Sequence, residues 1–282
     1  MGILSTVRNA LRLAPASTVA PAQRQRALHT RDGAPYDAAG LTAAEIADWF
    51  PWLGSPDLEI NPWRDRIVAR VRDLVRNDGW ASGAVTSILD AAIGPDLRLV
   101  SKPDWQQLRL YDKGFDPVWA REFGQTAEAL WRGWGYDPGR WCDTTRRQLA
   151  PEMFYLAFRH LLVDGEALAI VAWLPERRAR GRGKYATTLQ LVDPDRLSNP
   201  HLVFDLRHMR GGVEIDDLGA PVAYHIRRAH QGDWFEAPDQ WIWDRVPRET
   251  ADGRPVVVHA FEAERTGQHR AAGGFSRRSW RG

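Results

Sequence analysis

Seven side chains in the C-terminal half of this 282-residue chain have the chemistry of a hydrolytic or metal centre: Asp193, Asp195, His225, His230, His259, Glu262 and Glu264. Carboxylates and imidazoles ligate divalent ions and activate water. Their spacing argues against such a centre. His225 and His230 lie on a strand running into a turn, where ring directions diverge, and they lack the i, i+4 spacing of a helical zinc pair. His259-Ala260-Phe261-Glu262 lacks the second histidine of H-E-x-x-H. Asp193-Pro194-Asp195 reads as a turn with a cap. Structural or solvated roles are therefore the expectation. A nucleophilic serine is not signalled either, because G-x-S-x-G is absent. Cys142 is the single cysteine, which excludes an internal disulfide and a cysteine zinc site, and a buried thiol is expected there. No cofactor is expected.

A second chemistry is electrostatic. Arg177, Arg178, Arg180, Arg182 and Lys184 put five cations into eight residues between two expected strands. Such a loop tip can touch nucleic acid or an acidic partner. The simpler reading is a solvated loop, since long loops cost little to close. The G-R-G-K within it lacks P-loop spacing. The charge distribution points the same way. Residues 1–30 carry four arginines and no acid, and 265–282 carry five arginines and no acid. That leaves 29 basic against 36 acidic side chains in 31–264, a net of about −7. A domain that grips a duplex carries the opposite sign.

The elements that must position these residues are legible from caps and periodicity. Asn61-Pro62 opens an expected helix with Trp63, Ile67, Val71 and Val75 on one stripe. A second helix is expected over Ala81–Ile93, and a third from Asp116-Pro117 to Gly135. A fourth spans roughly Thr145–Val163, with Pro151 kinking or restarting it. The period then changes to that of strands: Ala167–Leu174, Thr187–Val192, Val213–Asp216, Pro221–Arg228, Gln240–Val246 and Pro255–Phe261. Asp217-Leu218-Gly219 reads as a hairpin turn. Helices first and strands second predict an α+β fold, a helical N-terminal half followed by a mostly antiparallel sheet. The 14 tryptophans imply a core or interfaces built on large rings. No apolar run reaches membrane-spanning length.

An ordered series of segments resembles the portal proteins of lambda-like tailed phages and prophages. It includes Ser55–Glu59, Arg70–Asp78, Ala81–Val85, Trp141–Asp143 and Leu161–Glu166. The clearest pieces are Leu189–Leu197, Gly211–Glu214, Gly219–Ile226 and His259–Gln268. The resemblance implies a non-enzymatic structural protein of the virion portal vertex, or of the host bacterial cytoplasm for a prophage-encoded fragment. It implies a homo-oligomeric ring that meets terminase, capsid and head-tail proteins while double-stranded DNA passes non-specifically. The expected organisation is a flexible basic arm over 1–45, a portal wing-like α+β body over 46–264, and a basic tail over 265–282. Family members continue into further helices after about Arg270, whereas here AAGGFSRRSWRG follows. The expectation is an out-of-frame tail on a truncated, assembly-deficient portal. The alternatives are a metal-assisted nuclease or hydrolase using Asp193, Asp195, His225, His230 and Glu262, and a nucleic-acid-binding module acting through the 177–184 loop.

Overall fold

A computed structural model describes residues 37–40, 48–94, 97–179, 183–233, 235 and 238–273. The chain divides into two units, Met1–Leu53 and Gly54–Gly282. In the first, the described residues include a short 3-10 turn at Asp37–Ala39. The second contains the elements below.

Six helices come first: α1 (Pro56–Ile60), α2 (Arg64–Asn77), α3 (Gly79–Ala92), α4 (Trp105–Leu108), α5 (Pro117–Gly135) and α6 (Ala150–Val163). Strand β1 (Glu166–Trp173), a short helix α7 (Pro175–Ala179) and β2 (Thr187–Val192) follow. Then come β3 (Met209–Arg210), β4 (Val213–Ile215), β5 (Pro221–Arg227), β6 (Trp243–Pro247) and β7 (Val257–Phe261). The strands pair antiparallel into two sheets, β2-β1-β7 and β3-β4-β5-β6. The α+β reading holds, with two sheets rather than one.

Local signals explain the boundaries. Asp116 accepts from Trp119 N–H at 2.7 Å and Pro117 occupies the first turn, as the cap signal required. Asp78 caps α3 by accepting from Ala81 N–H at 2.8 Å, so that helix starts two residues before its expected Ala81. Pro151 lies in the first turn of α6, so it opens the helix at Ala150 instead of kinking one begun at Thr145. Asn61-Pro62 is not the start of the long helix. Ser55-Pro56 caps α1, and Asn61 closes it. The hairpin between β4 and β5 is closed by Asp216, whose carboxylate accepts from the N–H groups of Leu218 and Ala220. Gly219 there has φ +84, a conformation that glycine adopts without strain.

The pleat sorts side chains into layers. Leu168, Val192 and Val257 face the second sheet and pack with Leu197, Val213, Tyr224 and Ile226. The opposite face of β2, Leu189 and Leu191, meets Met153, Ala150 and Cys142. Val71 and Val75 of α2, Val85 and Leu89 of α3 and Val163 of α6 form a third cluster. Trp131 packs against the Cys142 cluster, and Trp119 stacks on Phe123 at 5.1 Å. Gln268, Arg270 and Ala271, beyond the expected boundary at 264, are buried.

Candidate functional site

The densest polar site is a buried ion-pair network at the junction of α2, β1 and the segments after β2 and β7. Its centre is Glu166, fully buried at the head of β1. A tight turn, Asp164-Gly165-Glu166, delivers it straight from the end of α6. Gly165 has φ +88, and a Cβ there would lie 2.4 Å from the Ala272 carbonyl carbon, so the turn needs glycine.

Three cations converge on this carboxylate and its neighbours. Arg64 and Arg72 project from the same face of α2 as Val68, Val71 and Val75. Arg64 Nη2 lies 2.6 Å from Glu166 Oε1, and its Nη1 donates to Asp195 Oδ1 at 3.1 Å. Arg270 Nε donates to both Glu166 oxygens at 3.0 Å. The rest of its guanidinium donates to the carbonyls of Pro194, Leu197 and Gly211. His259 Nε2 lies 2.9 Å from Glu166 Oε2. Burial alone would raise the Glu166 pKa, but Arg270 and Arg64 outweigh it and hold the carboxyl well below the usual range.

A second carboxylate cluster joins through Arg72. Its Nε donates to Asp164 at 2.7 Å, Nη1 to Asp195 at 2.6 Å and Nη2 to Asp193 at 3.3 Å. His160 Nδ1 lies 2.5 Å from Asp164. Burial pushes the Asp195 pKa up, and the Arg64 and Arg72 charges bring it below normal.

The residues singled out by sequence chemistry are thus partly brought together. Ligand atoms of Asp193, Asp195 and His230 lie within 4.8 Å of one another. Both carboxylates, however, already accept from Arg72, so a cation is in place where a metal would have to compete. His225 is elsewhere: it pairs with Glu214 at 3.1 Å on the second sheet. Arg245 also binds Glu214 and, as the larger effect, pulls its pKa down to about 2. Glu262 is exposed, and His259 serves Glu166. The proposed ligand set is therefore split among three places. Asp193 also caps the turn before Asp195, accepting from its N–H at 3.0 Å.

The basic loop is divided too. Arg177 turns inward: it donates to the carbonyls of Asp143 at 3.2 Å and Thr144 at 2.6 Å, and its guanidinium lies 5.8 Å from the Trp141 ring. Arg178 is exposed, and the Lys184 ammonium sits 5.5 Å from the Tyr185 ring. Arg180 and Arg182 lie outside the described residues.

Sequence reasoning missed Arg64, Arg72, Glu166 and Arg270 as a unit. The available signal was cations on the apolar stripe of α2 and an acid heading an otherwise apolar strand.

A buried charge knot joins a helical layer to two antiparallel sheets in an α+β body. The sequence matches the family model for phage portal protein, lambda family, over residues 42–277, and the chain belongs to that family. It is 30% identical over 246 residues to portal protein B of Escherichia phage lambda, covering 87% of this chain and 44% of the lambda protein. It is 30% identical over 240 residues to the portal protein of Escherichia phage N15, covering 85% and 43% of the two chains. The chain thus spans less than half the length of these relatives. The family match reaches into the Arg/Gly/Ser stretch, to residue 277. No helix among the described residues is long and apolar enough to cross a membrane.

Proposed function

We propose that this chain is the wing-like body of a phage portal subunit, a structural part of the ring through which DNA is packaged and ejected. Copies of the chain, terminase, capsid and head-tail proteins are its partners, and duplex DNA is a passing, non-specific one. The observation that carries this reading is the use of the catalytic-type residues. Glu166, Asp164, Asp193 and Asp195 are held by Arg64, Arg72 and Arg270, which fixes elements to one another. An acidic body also suits a wall past which DNA must slide, because phosphate contacts from many cations would hold it back.

Mass measurement and electron microscopy of the purified chain test this reading. Oligomers built by side-by-side packing of the body are expected, and a chain that stays monomeric at high concentration would count against it.

The convergence of Asp193, Asp195 and His230 favours one second reading, a metal-assisted nuclease. Metal analysis and a nuclease assay separate the two. Activity that is lost on Asp193→Ala, with folding intact, would select the enzyme.

A further inference from the structure

Three of the four outer sheet edges are closed to further pairing. Leu189 of β2 donates to Cys142 C=O at 2.7 Å and accepts from Thr144 N–H at 2.8 Å, so that edge is covered. Strand β3 has two residues. Strand β6 carries exposed Asp244 and Arg245 and ends at Pro247, features that discourage pairing. Strand β7 is covered only at its first residue, Val257, by Arg248 C=O. Its sequence is Val-Val-His-Ala-Phe, its register with β1 is unbroken, and it contains no lysine, proline or bulge.

Its backbone is poised to pair. Val171 N–H donates to Val256 C=O at 2.8 Å, which fixes the alternation along the β1–β7 ladder. Val258 and Ala260 therefore turn their peptide groups toward β1, and Val257, His259 and Phe261 turn theirs outward. Val257 N–H is used by Arg248 C=O at 3.1 Å. The N–H and C=O groups of His259 and Phe261 have no partner among the described residues.

Grooves flank this edge on both sides. One, of about 480 Å³, is lined by Tyr224, Val257, His259, Phe261 and Arg248. The other, of about 290 Å³, is almost wholly apolar and includes Ile93, Phe154, Leu161, Val258 and Ala260. Val258 is 46% exposed. A strand laid along β7 sends alternate side chains into the two grooves, the geometry of β-strand addition. The first groove has Arg248 in its lining and no carboxylate, which favours an acidic side chain there.

We infer that β7 is the acceptor edge for an extended, apolar and acidic segment from the part of a portal subunit beyond the region matched here. This rests on membership of the portal family. The relatives carry more than half their length outside the match, so a source for such a segment exists. With Val257 already bonded to Arg248, the three residues His259–Phe261 offer about 10 Å of free edge.

The test uses the full chain with overlapping synthetic peptides tiling the unmatched part of the lambda portal protein. Amide hydrogen exchange at His259 and Phe261 is the readout. One peptide, or a short run of overlapping ones, is expected to protect both amides. Phe261→Pro, which removes an outward N–H, is expected to weaken that peptide roughly tenfold, and Phe261→Leu to leave it unchanged. Val258→Lys, at an exposed site, weakens it without bearing on folding. Protection by no peptide would overturn the inference. So would protection that rises with the concentration of the chain alone, which assigns the edge to a second copy. Ring assembly is not read here, so failure of the portal proposal remains distinguishable.

Discussion

Glu166 shows why a buried carboxylate in this chain is a structural commitment. Removing its charge leaves Arg64 and Arg270, each 3% exposed, without their shared anion. Glu166→Gln is therefore expected to cost about 3–5 kcal/mol, read from urea unfolding. The pH dependence has a defined sign. The folded-state pKa lies below the unfolded value of ~4.3, so this stabilisation is present above that pH. It is lost as pH falls through the folded pKa, and the variant is expected to lose much of the wild-type acid-unfolding limb. His269 behaves oppositely. Its Nδ1 lies 2.8 Å from Asp57, and that bond, the largest effect, raises its pKa against a smaller lowering by burial. Its contribution is complete below ~6.5 and is lost as pH rises through the raised value. A histidine titration by NMR is expected to show this elevation, and Asp57→Asn to abolish it.

Among the elements, the segment between α5 and α6 depends on a loop that looked solvated. Arg177 satisfies two carbonyls at Asp143 and Thr144. Asp143 in turn accepts from the N–H groups of Thr145, Arg147 and Gln148, which leads the chain into α6. Arg177→Ala is expected to cost about 1–2 kcal/mol in thermal unfolding, while Arg178→Ala stays within about 0.5 kcal/mol. At this scale the sequence was largely readable. Caps at Asp116 and the Asp-Leu-Gly turn are local chemistry, so they could be read locally. The α2 start was misplaced because Asn61 closes α1 instead of capping α2, whose own N-cap, Trp63, makes no side-chain capping bond that a sequence could signal. The ion-pair network was illegible because its members are separated by up to 206 positions, Arg64 to Arg270. A charged residue on an apolar stripe signals burial but does not name its partner.

For the molecule as a whole, the acidic balance of the body predicts weak, salt-sensitive association with duplex DNA. Retention on immobilised DNA is expected to vanish at moderate salt. Retention persisting there, reduced by Arg178→Ala or Lys184→Ala, would favour the basic loop as a nucleic-acid contact. The family resemblance was legible in the ordered series of segments. The division of the strands into two sheets was not, because pairing partners such as β1 and β7 are about ninety residues apart.

The position of Arg270 has a consequence for synthesis. On the ribosome, Arg64 and Glu166 emerge long before the guanidinium that completes their knot. Until then the Pro194, Leu197 and Gly211 carbonyls lack the donor that joins them. Chains ending before Arg270 are therefore expected to be cut faster than the full chain, which limited proteolysis of such truncated variants checks.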